Sequence, residues 1–241
     1  AKILKESRPW LKEPDSIALQ QARIDLDKAY NRYFKKLGGH PRFKSKHGKQ
    51  SYRTQQTNNN IRIDFRKRKL KLPKVGWITY RDGDREFDEE IKNVTVSRTK
   101  DGRYFASMLI YKEIDVQERT TIHESKIAAF DMSCKAFMVG MGNNRFTNPR
   151  FYRKHEKKLK KLHRGLSRKQ KGSSNRNKAR IKLARFYRKI GNRRTDWQQK
   201  LSTKLAREND AIILEDLNID GIKRFNGGIA KTMTLDFSWG E

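Results

Sequence analysis

The sequence predicts two architectures in one chain, an all-β segment followed by an α/β segment. Three observations carry the prediction. Between Tyr52 and Lys112, short runs alternate apolar and polar residues, the period-2 signature of strands. Further on, the compact apolar runs "IAAFDMS", "AFMVGM" and "AIILEDLNI" read as buried strands. Between the second and third of these, residues 150–207 hold about two dozen Lys and Arg against two acids, with apolar residues at helical spacing.

Taken in order, residues 1–37 read as helical. Ile17, Leu19, Gln20, Ile24, Leu26, Tyr30, Tyr33, Phe34 and Leu37 recur at helix-like spacing, and Asp15 or Ser16 caps the start after Pro14. "LGGHPRFKSKHGK" breaks that pattern with glycines and a proline. The runs "IRIDF", "KLKLP", "GWITY", "KNVTVSR" and "RYFASMLIYK" follow, some separated by the turn signals "RDGD" and "KDG", and predict a small β-barrel or sandwich. "DVQERTTIHESK" is a polar linker. Two short strands come next, with a third expected around Arg145 to Thr147. The stripe Leu159, Leu162, Leu166, then Leu183, Ile190, Trp197, Leu201 and Leu205 predicts two amphipathic basic helices broken at "KGSSN". A strand at Ala211 to Leu214 leads into the irregular "NIDGIKRFNGG". Three strands, long helices and a further strand is the order of an RNase H-like core.

Composition narrows the function classes. Lys and Arg number 58 against 27 acids, a net charge of +31. Such an excess repels itself, so a polyanionic partner is expected. Nucleic acid fits better than a membrane surface, because no segment approaches the roughly 18 apolar residues of a spanning helix. With no signal peptide at the start, the expected setting is cytoplasmic. The single cysteine, Cys134, excludes an internal disulfide and a cysteine-rich zinc site within these residues. A start at Ala1 inside charged, helix-compatible sequence and an end at "DFSWGE" read as cuts through a longer polypeptide.

Asp131 and Glu215 each stand at the end of an apolar strand. If those strands are neighbours in one sheet, the carboxylates converge at its edge. Paired carboxylates repel and raise each other's pKa unless a divalent cation joins them. Mg²⁺ suits a few carboxylates plus waters and phosphate oxygens, as in phosphodiester cleavage. The spacing alone leaves a second reading open, in which Glu215 caps a turn and Asp131 a loop.

The ordered segments "WLKEPDSIALQQARIDLDKAYNRYFKK", "GHPRFKSK", "SYRTQQTNNNIRI", "LKLPKVGWI", "IKNVTVSR", "KAFMVG", "NPRFYRKHEKKLKKLHRGLSRKQKGSSNRNKARIKLA" and "IILEDLNIDGI" resemble the TnpB family over essentially the whole chain. These are transposon-encoded, RNA-guided DNA endonucleases of bacterial insertion sequences, related to type V CRISPR effectors. The resemblance implies a partial helical recognition lobe over residues 1–48, a wedge β-barrel over 49–120 and part of a RuvC nuclease domain over 121–241. It implies that Asp131 and Glu215 are the first two RuvC acids, binding Mg²⁺ to cleave DNA exposed by a guide RNA. The family usually reads "GIDLG" where this chain reads "AFDMS". The third acid and the four-cysteine zinc ribbon of the family would lie beyond Glu241. With two of three ligands these residues alone are expected to bind metal poorly and to be inactive. The alternative implied is a truncated, nuclease-inactive RNA-guided DNA-binding protein acting as a repressor.

The same resemblance implies which residues meet nucleic acid. Gln20, Thr57 and Asn58, with Tyr52 and Arg53 beside them, are the candidates for reading a short DNA motif, since amide side chains pair with base edges. Arg150, Arg153, Lys154, Arg168, Lys169, Lys171, Arg176, Lys178 and Arg180 are expected to follow the backbone of a guide–target duplex, which proteins recognise by shape. Guide RNA and target DNA are therefore the expected partners in a bacterial or archaeal cell, with the oligomeric state, a monomer included, left open. A general RNA-binding protein is the third reading. Trp10, Trp77 and Trp197 are expected in cores, Cys134 as a small buried residue, and the histidines show no ligand-like pairing.

Overall fold

Pro14 and Asp15 set where the first long helix begins. The Asp15 side chain accepts a hydrogen bond from the Ile17 N–H at 3.2 Å, satisfying one of the donors that a helix start leaves free. In this computed structural model, which describes residues 2–43, 50–81, 86–115, 121–132 and 136–216, α1 spans Lys2–Ser7. A 3-10 turn follows at Pro9–Lys12, and α2 runs Ser16–Phe34. The chain forms two units, residues 1–115 and 116–241.

Six strands complete the first unit: β1 (Gln50–Gln55), β2 (Arg62–Asp64), β3 (Lys69–Leu72), β4 (Gly76–Thr79), β5 (Ile91–Arg98) and β6 (Tyr104–Ile110). They form two antiparallel three-stranded sheets, β1-β5-β6 and β2-β3-β4. Ile61, Leu70 and Leu72 from one side and Ile91 and Val94 from the other bury into a single core. The expected wedge barrel is corrected here: among the described residues no ladder joins the two sheets, so the barrel does not close. The two sheets meet through the apolar side chains of a shared core rather than through paired strand edges. β1, "QSYRTQ", lacks apolar alternation, yet pairs in full register with β5, from Gln50 opposite Arg98 to Gln55 opposite Asn93.

The second unit contains β7 (Ile127–Met132), β8 (Met138–Gly140), β9 (Arg145–Phe146), α3 (Phe151–Ser167), α4 (Ser174–Glu208) and β10 (Ala211–Leu214). Its sheet has the order β10-β7-β8-β9, with β10 parallel to β7 and the other pairs antiparallel. The break between the helices is built by Gly172, at a left-handed φ of 85°, and by Ser173, whose hydroxyl accepts from the Arg176 N–H. Arg176 then reaches back, its Nη1 donating to the carbonyls of Leu166 and Lys169 at 3.0 and 2.8 Å. Leu166 lies in the last turn of α3, where its carbonyl also accepts from the Lys169 N–H at 3.2 Å, and Lys169 lies just beyond the helix, so Arg176 ties the start of α4 to the end of α3.

The apolar stripe of α4 divides between two cores. Leu183 and Ile190 pack with Leu159 of α3, joined by Leu162, Leu166 and Phe186. One end later, Trp197, Leu201 and Leu205 lie on the sheet against Phe130, Phe137 and Met138, with Trp197 edge-on to Phe137 at 4.8 Å. Trp10 and Trp77, expected in cores, are instead 58% and 49% exposed. Trp10 sits in a four-residue turn with no buried member, and Trp77 on the outward side of a short strand. Cys134, most of "RDGD" and the segment "NIDGIKRFNGG" lie outside the described residues. No described helix is long and apolar enough to cross a membrane.

Candidate active site

β7 alternates its side chains between two environments. Ala128, Phe130 and Met132 belong to the core under α4. Asp131, one residue out of phase, falls on the opposite face and is exposed, because successive strand residues point to opposite sides. The parallel ladder sets Ala211 beside Ile127, Ile212 beside Ala128, Ile213 beside Ala129 and Leu214 beside Phe130. Continuing that register by one residue puts Glu215 beside Asp131. Adjacent strands lie about 4.8 Å apart and in-register residues share a face, so the two acids are neighbours.

Both acids line one open cavity of about 550 Å³, whose other walls are Ala129, Phe130, Val139, Gly140, Met141, Ile213 and Leu214. Every other wall residue is apolar or glycine. Two carboxylates sharing such walls repel one another, and a bound cation relieves the repulsion. This donor set of hard oxygens suits Mg²⁺. Among the described residues no group of three His, Cys, Asp or Glu side chains that could hold a metal ion comes together. Gly140 keeps the site compact: a Cβ there would stand 2.6 Å from the Phe130 ring.

At the other end of the two strands, Asp210 contacts the segment that enters β7. The Asp210 N–H donates to the Lys126 carbonyl at 2.9 Å. Its carboxylate accepts from the His123 N–H at 3.2 Å and lies 3.8 Å from the Lys126 ammonium. Sequence reasoning missed Asp210; its position immediately before an apolar strand was the only available signal.

The residues expected to meet a DNA motif gather where α2 covers the edge strand β1. Gln20 is exposed on α2, Tyr52 and Arg53 lie on β1, and Thr57 and Asn58 are exposed in the following turn, Asn58 with φ of 49°. What joins helix to strand is a set of polar pairs that the sequence did not disclose. Thr54, fully buried, donates to Asp15; the Gln55 amide donates to Gln21 at 2.9 Å; and Arg53 pairs with Asp25. Gln21, next to the exposed Gln20, is 4% exposed and donates to Asp25 at 3.2 Å. Arg53 thus spends part of its guanidinium on α2, while its enclosed Nε has no partner among the described residues. Partial burial and the nearby Asp15 carboxylate push the Tyr52 phenol above its ordinary pKa, which keeps it a hydrogen-bond donor.

Of the backbone candidates, Arg150 takes a left-handed φ of 49° at the start of α3, and Arg153 and Lys154 are exposed on its first turns. Arg168, Lys169 and Lys171 are exposed at the hairpin bend, as are Lys178 and Arg180 on α4. Arg180 is bonded to Asn177, and Arg176 is committed to the bend itself.

Comparison with known proteins places this geometry. Residues 110–226, which include both acids and the helical hairpin, match the IS605 OrfB family, described as a probable transposase. This stretch, just under half of the chain, is similar to that family. A relative from Streptomyces pristinaespiralis, named "Putative RNA-guided DNA endonuclease", is 34% identical over 98% of this chain and 57% of its own length. Escherichia coli K12 has one of the same name, InsQ, 31% identical over 91% of this chain and 52% of the relative. A third, from Mycobacterium tuberculosis, is 27% identical over 80% of this chain and 44% of its own length. The chain spans about half the length of the curated relatives it matches. The OrfB match also covers residues beyond 216 that the structure does not describe.

Proposed function

We propose that the protein containing this chain is an RNA-guided DNA endonuclease of the TnpB type, and that Asp131 and Glu215 are two of its metal ligands in a RuvC-type site. The observation that carries the reading is the parallel β7–β10 register, which brings two exposed carboxylates side by side in an otherwise apolar cavity. The strand order β10-β7-β8-β9 and the helices leading into β10 suit an RNase H-like core. The names of the relatives supply the substrate class and the guide.

In this mechanism Asp131 and Glu215 would hold the divalent cation, their oxygens being the hard donors that Mg²⁺ favours. A bound Mg²⁺ supplies Lewis acidity and a more acidic water. The walls Val139, Met141 and Ile213 carry no polar side chain, so they offer the two acids no competing partner and a cation would be their counter-charge. Residues 1–48 act as part of a recognition lobe and 49–120 as a wedge. At their junction, Gln20, Tyr52, Arg53, Thr57 and Asn58 read a DNA motif, and the cations of α3 and α4 hold the guide–target duplex.

The deciding experiment uses the full-length protein with its co-purified guide RNA. Asp131→Ala and Glu215→Ala each abolish cleavage of motif-flanked DNA while leaving guide-dependent binding at its wild-type affinity. Unchanged cleavage in either variant removes that residue from the site. Binding with the same affinity whether or not the guide matches the DNA would instead identify a general nucleic-acid-binding protein.

A further inference from the structure

Neighbouring carboxylates depend on a strand register that the strands themselves specify weakly. Register is normally dictated by alternation, since a slip of one residue turns every side chain to the other face. β10 is "AIIL", apolar at all four positions, and β7 opposes it with Ile127, Ala128, Ala129 and Phe130. A slipped pairing would still match apolar to apolar throughout. Exposure reinforces the point: Ile212, Ile213 and Leu214 are 38%, 58% and 55% exposed among the described residues, so core burial selects between registers only slightly. Yet a one-residue slip would turn Glu215 away from Asp131, and a two-residue slip would carry it about 6.6 Å along the strand. Either displacement is beyond what one small cation tolerates, because Mg²⁺ demands ligands near 2.1 Å in fixed directions.

A polar clamp stands where the ladder begins. Asp210, immediately before β10, makes three contacts with the segment entering β7: its N–H to the Lys126 carbonyl, its Oδ2 from the His123 N–H, and its Oδ1 toward the Lys126 ammonium. The two hydrogen bonds are directional, and the 3.8 Å ion pair adds charge attraction at the same alignment. Slipping by one residue would leave the carboxylate facing Ile127 or Ser125 backbone and break all three. We propose that Asp210 is a positioning residue for the carboxylate pair: it sets the β7–β10 register and thereby holds Glu215 beside Asp131. Asp210 touches neither metal nor DNA. It acts through the four residues of β10, and the inference rests on the metal-site reading of Asp131 and Glu215.

The test measures Mn²⁺ binding to the full-length protein by electron paramagnetic resonance, without DNA, beside Mg²⁺-dependent cleavage and thermal melting. Asp131→Ala serves as the reference. In Asp210→Ala the apparent Kd for Mn²⁺ and the half-saturating Mg²⁺ both rise by about tenfold or more, as for other residues that orient metal ligands, while guide-dependent DNA binding is unchanged. Asp210→Asn keeps an acceptor for the His123 N–H and loses the charge facing Lys126, so its shift is smaller. If Asp210→Ala fails to fold, Asp210→Asn and Lys126→Met carry the comparison. Wild-type Mn²⁺ affinity in the folded Asp210 variants, with Asp131→Ala deficient in both metal binding and cleavage, overturns the clamp and leaves the metal site standing. Wild-type metal binding and cleavage in Asp131→Ala overturns the site and the clamp with it.

Discussion

Single residues decide the geometry on both sides of the carboxylate pair. Gly140 lies against Phe130 so closely that a methyl group would meet the ring edge at 2.6 Å, and the ring is itself packed under α4. Gly140→Ala is therefore expected to cost roughly 1–3 kcal/mol, the usual range for overpacking a core, read as a lowered denaturation midpoint of the second unit. An unchanged midpoint would mean that β8 moves aside freely. At this scale the sequence was legible where chemistry interrupts a pattern. Asp131 and Glu215 stand out because charge follows an apolar run. Gln21, Asp25, Thr54 and Asp210 do not, since a polar residue whose partner is distant in sequence looks like any solvated one. The contrast between Gln20 and Gln21 makes the point: identical, adjacent, and separated only by which face of α2 meets β1.

Elements were more legible than their partners. The helical hairpin followed from the leucine stripe and the "KGSSN" break, and β3, β4, β5 and β6 from alternation. β1 was hidden because its inward residue is Thr54 rather than an aliphatic, its hydroxyl satisfied by Asp15. The barrel failed for a reason that no window of sequence contains, namely whether the edges of two short sheets meet. The hairpin also offers a quantitative test. Leu159 is 1% exposed between α3 and α4 and anchors the core that holds them together. Leu159→Ala is expected to remove about 2–5 kcal/mol, measured by chemical denaturation. Native-state hydrogen exchange should show α3 amides losing protection before those of β7.

For the molecule as a whole, charge is the dominant property. A net +31 makes association with any polyanion strongly dependent on salt. The expected log–log dependence of duplex binding on salt has a slope of about −0.9 for each phosphate neutralised. Replacing the exposed Lys178 by Ala should reduce the magnitude of that slope by about one with no change in melting temperature. A slope identical to wild type would remove Lys178 from the contact surface. Composition predicts a polyanionic partner, but the distribution of roles among the cations was not legible. Arg176 shows why: it is one of many in a basic run, and its guanidinium ties the start of α4 to the end of α3.

One consequence of the division of α4 between two cores is mechanical. Its 35 residues make a rod about 52 Å long at 1.5 Å per residue. The rod is anchored in the sheet at one end through Trp197, Leu201 and Leu205, and carries α3 at the other through Leu183 and Ile190. Only Asn209 and Asp210 separate its anchored end from β10. It is a cantilever: a load taken up at the hairpin bend becomes torque at the root of the strand that leads into Glu215.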